Sequence, residues 1–572
     1  MAAKKLKFVL GWHMHQPHYR EGGDGLYQLP WVYLHALKDY TDMAAHFENE
    51  PDMRAVVNFA PTLLEQLDDY SSQIDSAIQH DTKTSDSLIN LLGGHTDIPD
   101  DVIARSKIIS DCQRCHAPQM IAPYPAFAAL IQQLGDNPEA PNSNLVLALD
   151  KQYFVDLLVW YHLAWLGESL KTHSVAVSLI EKQHDYSLDD QRLLLSLMNE
   201  AMQGLIPRYR ALAKRGQIEI SMTPYAHPIV PLLNDFDNMR CAQPEAPRPK
   251  SSHYPGGLER NHWHMKKGFE THQHYFGEMP KGVWLSEGGV SDDALDILAE
   301  YDIQWTASGQ GVWGNTCHQS SIDKALIHNK KALFSPFKLD DCETKIFFRD
   351  DGLSDFIGFE YSQWDAEQAV NDFVQNLENI HGFLGDTVDE HVVSVVLDGE
   401  NAWEYYPHNG AYFLSKLYAK LANHPIIEAT TFADVCDNAQ VKPLNVEKLC
   451  AGSWVYGSFS TWIGQDDKNR AWDYLVDAKN CFDEATTSNK LSKDTRHKAS
   501  KQLAICEGSD WFWWFGDYNA SDSVRDFDLL FRSQLKRLYE LLDCPMPDYL
   551  NQPISVGGGD SENAGTMQRG VA

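Results

Sequence analysis

"VSVVLDGENAWEYYPHNG" (residues 393–410) is an apolar run that stops abruptly at two acids and an amide, followed by three aromatic residues. Its apolar residues are nearly continuous rather than alternating, which predicts a strand covered on both faces, as in a parallel sheet. Asp398, Glu400 and Asn401 would then lie at the carboxyl end of a buried strand. Trp403, Tyr405 and Tyr406 would surround them with apolar surface.

Six further stretches resemble this one, and each ends in polar or small residues. Helical patterns separate several of them, such as residues 293–301 and 411–424, with Ser291 or Asp292 available to cap the first. The seven predicted strands are "KFVLGWHMH", "AVVNFAP", "IEISMTPYAH", "GVWLSEGG", "IQWTASG", "KIFFRDD" and "VVSVVLDGEN".

Strands that alternate with helices predict an α/β fold with parallel strands and helical crossovers. If the sheet closes into a barrel, the chemistry belongs at the carboxyl ends of the strands. Six titratable residues fall at such positions. They are His13, His15, His227, Glu287, Asp350 and Asp398.

The chain is long enough, at 572 residues, for one large barrel and an appended domain. We expect the barrel over residues 1–436, with helical insertions at about 68–145 and 151–215. The pattern then becomes helical, which predicts a carboxyl-terminal α-helical domain over 437–552 that completes the substrate cleft. The Gly-rich, aperiodic stretch 553–572 predicts a disordered tail.

A net charge of −32 argues against nucleic acid or an anionic membrane as a partner, because both require a basic surface. A neutral polysaccharide is unaffected by this charge. No stretch approaches the length of a membrane span, and the amino terminus reads as a first strand rather than a signal peptide. We therefore expect a cytoplasmic protein.

One cysteine motif, "CQRCH" (Cys112 to His116), has the form of a c-type haem attachment site. Attachment requires export, for which the sequence gives no signal, so we interpret the motif as coincidental. The ten cysteines are scattered at ordinary density, and we expect reduced thiols.

Two carboxyls from different strands that face one cleft suit glycoside hydrolysis, in which one attacks or activates water and the other protonates the leaving oxygen. Glu287 and Asp398 are the candidates. His13 and His15 are two residues apart on a strand and so share one side of it. They could bind sugar hydroxyls, or they could hold zinc together with an Asp.

The motifs together resemble glycoside hydrolase family 57. Five stretches occur in the order of the family's five signature regions and near their spacing. They are "HMHQP", "GQIEISMTPYAHPIVPL", "VWLSEGG", "LDGENAWEYYPHNG" and "EGSDWFWWFGD". The resemblance implies a (β/α)₇ barrel, a distorted TIM-like fold, with a helical domain, a retaining mechanism and no metal or other cofactor.

By position, the resemblance implies that Glu287 is the nucleophile and Asp398 the general acid/base. It implies an α-glucan polysaccharide or maltooligosaccharide as the partner. The residues that we expect to bind substrate are His13, His15, His227, Glu400, Trp403, Trp454, Trp462, Asp510 and Trp511.

Several functions fit these residues. The first is an α-amylase-like hydrolase of α-1,4-glucans; a 4-α-glucanotransferase or a glycogen branching enzyme would use the same carboxyl pair. A metal-dependent mannosidase or polysaccharide deacetylase is a different class, and a glycan-binding protein without activity is a third.

Overall fold

The computed structural model of the chain describes residues 4–322, 324–328, 330–488, 491–559 and 565–569. These residues contain nine strands. They are β1 (Leu6–Met14), β2 (Ala55–Phe59), β3 (Ile218–Met222), β4 (Trp305–Ser308), β5 (Phe337–Leu339), β6 (Lys345–Phe348), β7 (Val392–Asp398), β8 (Ile427–Thr430) and β9 (Leu444–Val446).

β1 is the centre of the larger sheet, and all nine of its residues are buried. It pairs in parallel with β7 along most of its length, with β2 at its carboxyl end and with β8 at its amino end. β2 in turn pairs in parallel with β3. The register sets His13 beside Asp398, so two predicted site residues are neighbours across one strand pair.

The second sheet has the order β4-β6-β5-β9, in which β4 and β6 are parallel. Single parallel bridges connect the two sheets: Met222 to Val283, Gly282 to Trp305, and Arg349 to Ser394. The α/β class is therefore confirmed, and the order of the strands is that of a seven-stranded barrel. The regular ladders do not themselves close the ring.

The stretch "GVWLSEGG" forms two of these bridges, through Gly282 and Val283, instead of the predicted regular strand. The chain turns away at once, because Ser286–Gly288 is a short 3₁₀ turn in which Glu287 has φ 59° and Gly288 has φ 57°. The extended part is thus too short for a ladder, and the turn brings Glu287 to the end of the barrel.

Helices fill the connections between the strands. Ser291 caps the helix that follows the fourth predicted strand, as expected, by accepting a hydrogen bond from the Ala294 amide. The longer barrel-side helices are Thr41–Asn49, Gly257–Phe276, Asp292–Ala299, Gln310–Gln319, Ala366–Leu384 and Ala411–Ala422.

The segments between β2 and β3 consist of helices joined by turns and loops. They contain the helices Pro61–His80, Ser87–Leu92, Val102–Asp111, Ala117–Met120, Pro125–Gln132, Ser143–Ala148, Lys151–Ala164, Glu168–Lys171, Ser174–Lys182 and Leu188–Lys214. Within the described residues, no helix has the length and apolar character needed to cross a membrane.

In the described part of the chain, four α-helices follow β9: Asp466–Thr487, Lys493–Cys506, Asp510–Trp514 and Ser521–Leu541. The described residues of the tail pack against this region. Ile554 and Ser555 are buried, and the Trp513 indole N–H donates to the Gly565 carbonyl at 2.8 Å. The described residues of the tail are therefore packed, whereas the composition predicts disorder, because the tail supplies apolar side chains and a backbone carbonyl to this region. Residues 560–564 and 570–572 lie outside the described residues.

Candidate active site

A cavity of about 510 Å³ lies at the carboxyl ends of β1 and β7. Seven of the predicted site residues line it. They are His13, His15, Glu287, Asp398, Glu400, Trp454 and Asp510. The first five come from strand ends or the turns after them, and the last two come from the segments after β9. The cavity therefore joins the barrel to the carboxyl-terminal helices.

Glu287 is held in a left-handed backbone conformation, with φ 59°, that is costly for a residue with a side chain. Three hydrogen bonds compensate. The Trp454 amide donates to the Glu287 carbonyl at 3.0 Å, the Trp454 indole N–H donates to Oε2 at 3.1 Å, and the Ser509 hydroxyl donates to Oε1 at 3.2 Å. The carboxylate is thus fixed from both sides by residues that follow the barrel.

Asp398 is the last residue of β7 and accepts a hydrogen bond from the Asn401 side chain at 2.9 Å. Burial raises its pKa to about 6, an effect that the Asn401 hydrogen bond opposes. Burial likewise raises the pKa of Glu287 to about 8, with further contributions from the negative charges of Asp398 and Asp510. Because the two carboxyls interact, these values describe the pair, which holds one proton between about pH 6 and 8.

His13 is neutral and has a fixed tautomer. Asn58 donates its amide N–H to the Ser221 hydroxyl at 3.0 Å, so the Asn58 oxygen accepts from His13 Nδ1 at 2.7 Å. Burial lowers the pKa of His13 to about 3, helped by the nearby His15. The remaining nitrogen, Nε2, is therefore a hydrogen-bond acceptor beside the cavity, suited to a sugar hydroxyl.

His15 and His227 form a stacked pair with ring centroids 3.8 Å apart. His15 Nε2 lies 2.7 Å from Asp510 Oδ1; burial alone would lower its pKa, but the charge of Asp510 raises it overall. His227 has a pKa well below its usual value because of burial. Its Nδ1 donates to the Ser509 hydroxyl at 2.8 Å, which in turn donates to Glu287.

Ligand atoms of His15, His227 and Asp510 lie within 4.8 Å of one another, close enough to hold a metal ion. A metal binds a histidine nitrogen in the plane of the ring. The two imidazoles are stacked with 17° between their planes, so one ion cannot lie in both planes. His13, the other residue of the predicted zinc alternative, is not in this group of close ligand atoms. The site therefore fits a metal poorly.

Glu400 follows Asp398 by two residues and holds the amino-terminal motif in place through hydrogen bonds. Its Oε1 accepts from the Gln16 side chain at 3.0 Å and from the His15 amide at 3.3 Å. Burial, together with the charge of Asp398, raises the pKa of Glu400 well above its usual range. We therefore assign it as a neutral, hydrogen-bonded wall of the cavity.

Four predicted substrate contacts do not line the cavity: His227, which stacks on His15, and the tryptophans Trp403, Trp462 and Trp511. Their side chains are almost completely buried. The Trp403 indole donates to the Gly399 carbonyl at 2.9 Å, and the Trp511 indole donates to the Ile505 carbonyl at 2.8 Å. This placement gives the tryptophans a packing role behind the cavity wall and does not support sugar stacking.

Several residues of the site have no signal in the sequence that would select them. Ser509 contacts Glu287 but is one of many serines, and it is recognisable only as the residue before Asp510. The far wall of the cavity contains residues from the helix between β1 and β2, from the insertion and from the last helices, including Trp31, Arg114, His116, Trp513, Trp514 and Asp526. Nothing in their local sequence predicts which strand ends they face.

Comparisons with known proteins agree with this architecture. A search of proteins with curated functions gave no match. Among solved structures, the chain is similar to a branching enzyme from Thermococcus kodakaraensis, with TM-score 0.57, 14% identity, and coverage of 94% of this chain and 90% of that one. It is also similar to the α-amylase AmyC from Thermotoga maritima, with TM-score 0.57, 13% identity and coverage of 94% and 93%.

A third similar structure is a branching enzyme from Pyrococcus horikoshii, with TM-score 0.54, 14% identity, and coverage of 99% of this chain and 100% of that one. At these identities the likeness shows the fold alone. The family itself follows from the sequence match to Glycosyl hydrolase family 57, which extends over residues 9–449. Since that match covers most of the chain, the protein belongs to glycosyl hydrolase family 57.

Proposed function

We propose that the chain is a retaining glycosidase that cleaves α-1,4-glucans by double displacement, with Glu287 as nucleophile and Asp398 as general acid/base. One observation carries the proposal: two buried carboxyls from different strands line one cavity and share a proton near neutral pH. One ionised and one protonated carboxyl is the state that this chemistry requires.

In the first step, the Glu287 carboxylate attacks C1 of a glucosyl unit while Asp398 gives its proton to the departing glycosidic oxygen. A covalent glycosyl-enzyme results. In the second step Asp398, now ionised, takes a proton from water, whose oxygen attacks C1 and releases Glu287. Neutral His13 would accept a hydrogen bond from a sugar hydroxyl, and the Ser509 and Trp454 donors would hold the nucleophile in place.

The shared proton must lie on Asp398 when the bond is cleaved, whereas in the free protein Glu287 has the higher pKa. Three groups favour the ionised form of Glu287: the donors Trp454 and Ser509, and the positive charge of His15. A glycosidic oxygen next to Asp398 supplies an acceptor for its proton. Bound substrate therefore favours the proton on Asp398 instead of Glu287, while the pair still holds one proton.

The cavity surface suits a neutral sugar chain. Aromatic side chains on several elements face it, including Trp31, Tyr405, Trp454, Trp513 and Trp514, and flat apolar faces can pack against sugar rings. The α-amylase and branching enzymes of similar fold are consistent with an α-glucan. Incubation with soluble starch and with maltooligosaccharides, followed by chromatography of the products, tests the proposal. Absence of any new sugar from all these substrates would refute it.

Glycosyl transfer is a second candidate, favoured by the extent of the aromatic surface beyond the carboxyls. A sugar bound there could replace water in the second step and accept the glucosyl unit. Maltotetraose as sole substrate separates hydrolysis from 4-α-glucanotransfer, because hydrolysis yields only shorter sugars whereas transfer yields both shorter and longer ones. A branching activity is tested separately with amylose, in which it creates α-1,6 linkages visible by nuclear magnetic resonance.

We predict a bell-shaped pH dependence of kcat/KM with limbs near pH 6 and pH 8. Below about 6 both carboxyls are protonated and the nucleophile is lost; above about 8 both are ionised and the acid is lost. Initial rates on a maltooligosaccharide well below KM, measured from pH 4 to 10, give the profile. Activity that rose or fell steadily across this range would contradict a shared proton.

A further inference from the structure

The tip of one insertion, residues 114–117, forms part of the cavity wall. It follows the helix Val102–Asp111 and lies against the segment after β7. The His116 ring is 4.7 Å from the Tyr405 ring, and His116 Nδ1 donates to the Glu404 carbonyl at 3.1 Å. The tip is therefore seated on the segment that also contains the candidate acid, Asp398.

A second part of the cavity wall belongs to the carboxyl-terminal region. Ser523, Asp526 and Phe527 on the helix Ser521–Leu541 line the cavity, as does Trp514. The Trp514 and Phe527 rings are stacked with centroids 4.7 Å apart. This wall is thus partly aromatic, and it comes from a part of the chain far from the insertion in sequence.

An ion pair joins the two walls. Arg114 Nη1 lies 3.0 Å from Asp526 Oδ2, and Arg114 Nε lies 3.6 Å from Asp111. Arg525 also contacts Asp526, at 3.3 Å. Both members of the Arg114–Asp526 pair line the cavity. A glucan chain that continued past this point, between the insertion and the helix, would have to displace the pair.

We propose that the Arg114–Asp526 pair closes one end of the cleft, so that the enzyme acts near the ends of glucan chains rather than at internal linkages. This inference rests on the proposed function. Arg114 and Asp526 would then determine specificity: they limit how many glucosyl units fit on one side of the scissile bond, while the carboxyl pair is unchanged.

Digestion of amylose tests this directly, by following the loss of iodine colour against the appearance of reducing ends. Cleavage at chain ends releases many reducing ends while long chains persist and the colour remains. We expect the wild-type protein to lose much less colour per reducing end than partial acid hydrolysis, which cuts at random. Equal loss of colour in the two reactions would overturn the proposal.

Arg114→Ala removes the bridge and should increase the loss of iodine colour per reducing end by about threefold or more. The variant should stay folded, because a single partly exposed ion pair contributes little to stability. Asp526→Asn should change it in the same direction. Arg208→Ala is the matched control: Arg208 pairs with Glu48 at 2.8 Å with similar exposure, 26% against 28% for Arg114, and lies outside the cavity wall. Thermal unfolding establishes that each variant is folded.

The result separates the two proposals. If both cavity variants match Arg208→Ala in colour loss per reducing end, the closed end is wrong while the glycosidase function stands. If the wild-type protein releases no reducing ends from amylose or from maltooligosaccharides, the proposed function itself fails.

Discussion

Glu287→Gln is expected to lower the turnover of an α-1,4-glucan by roughly 10⁴-fold or more, because an amide cannot form the glycosyl-enzyme. The substitution preserves volume and leaves an oxygen that can accept a hydrogen bond from Trp454 or Ser509. The fold should therefore persist. Steady-state release of reducing sugar gives the loss of activity, and circular dichroism with thermal unfolding gives the state of the protein.

Glu219→Gln is a matched control for this variant. Glu219 is also a carboxyl whose pKa burial raises, and it also accepts a hydrogen bond from an indole, that of Trp305 at 2.7 Å. It does not line the cavity. We expect it to retain most of the wild-type turnover. If Glu287→Gln kept turnover similar to that of Glu219→Gln, Glu287 would not be the nucleophile.

Asp398→Asn is expected to lose about 10²–10⁴-fold in turnover of natural glucans, because the leaving oxygen is no longer protonated. The loss of kcat/KM, which reports formation of the glycosyl-enzyme, should be much smaller for α-glucosyl fluoride, whose leaving group needs no proton. The glycosyl-enzyme should then accumulate, since no base activates water. Added azide, which attacks without a base, should restore turnover and yield a glycosyl azide that mass spectrometry detects.

These responses separate the acid/base from the nucleophile, because Glu287→Gln should gain nothing from a better leaving group or from azide. Asp350→Asn provides the control, since Asp350 also follows a strand but caps the helix Asp351–Asp355 through the Leu353 amide. We expect only a stability change there. An Asp398→Asn variant with equal losses of kcat/KM on glucan and glucosyl fluoride would contradict the role of general acid.

The strand-end residues were predictable from the sequence because parallel strands bring their carboxyl ends to one edge. This reasoning alone places His13, Asp398 and Glu287 on one cavity, and the paired register of β1 and β7 explains the first two. It does not predict the turn at Glu287, where an extended pattern gives way to a left-handed residue. Their catalytic roles stay predictions until the variants are measured.

The orientation of the tryptophans could not be predicted from the sequence pattern. An indole in an aromatic run can face the ligand or the core, and sequence does not distinguish the two. Trp454 faces the cavity, whereas Trp462 and Trp511 are buried behind it. The far wall was equally unpredictable, since Arg114 and Asp526 meet only through tertiary packing. Contacts between residues so far apart in sequence produce no repeating pattern from which they could be predicted.

The hydrogen bonds from Trp454 and Ser509 to Glu287 also bear on how such a chain can diversify. The family match ends at residue 449, yet both donors lie beyond it. Recombination that joined this barrel to another relative's helical end would keep every strand and still leave the key carboxylate unsupported. We therefore expect a chimera between relatives to work only when its crossover preserves the loop at 452–454 and the turn at 509–510 along with Glu287.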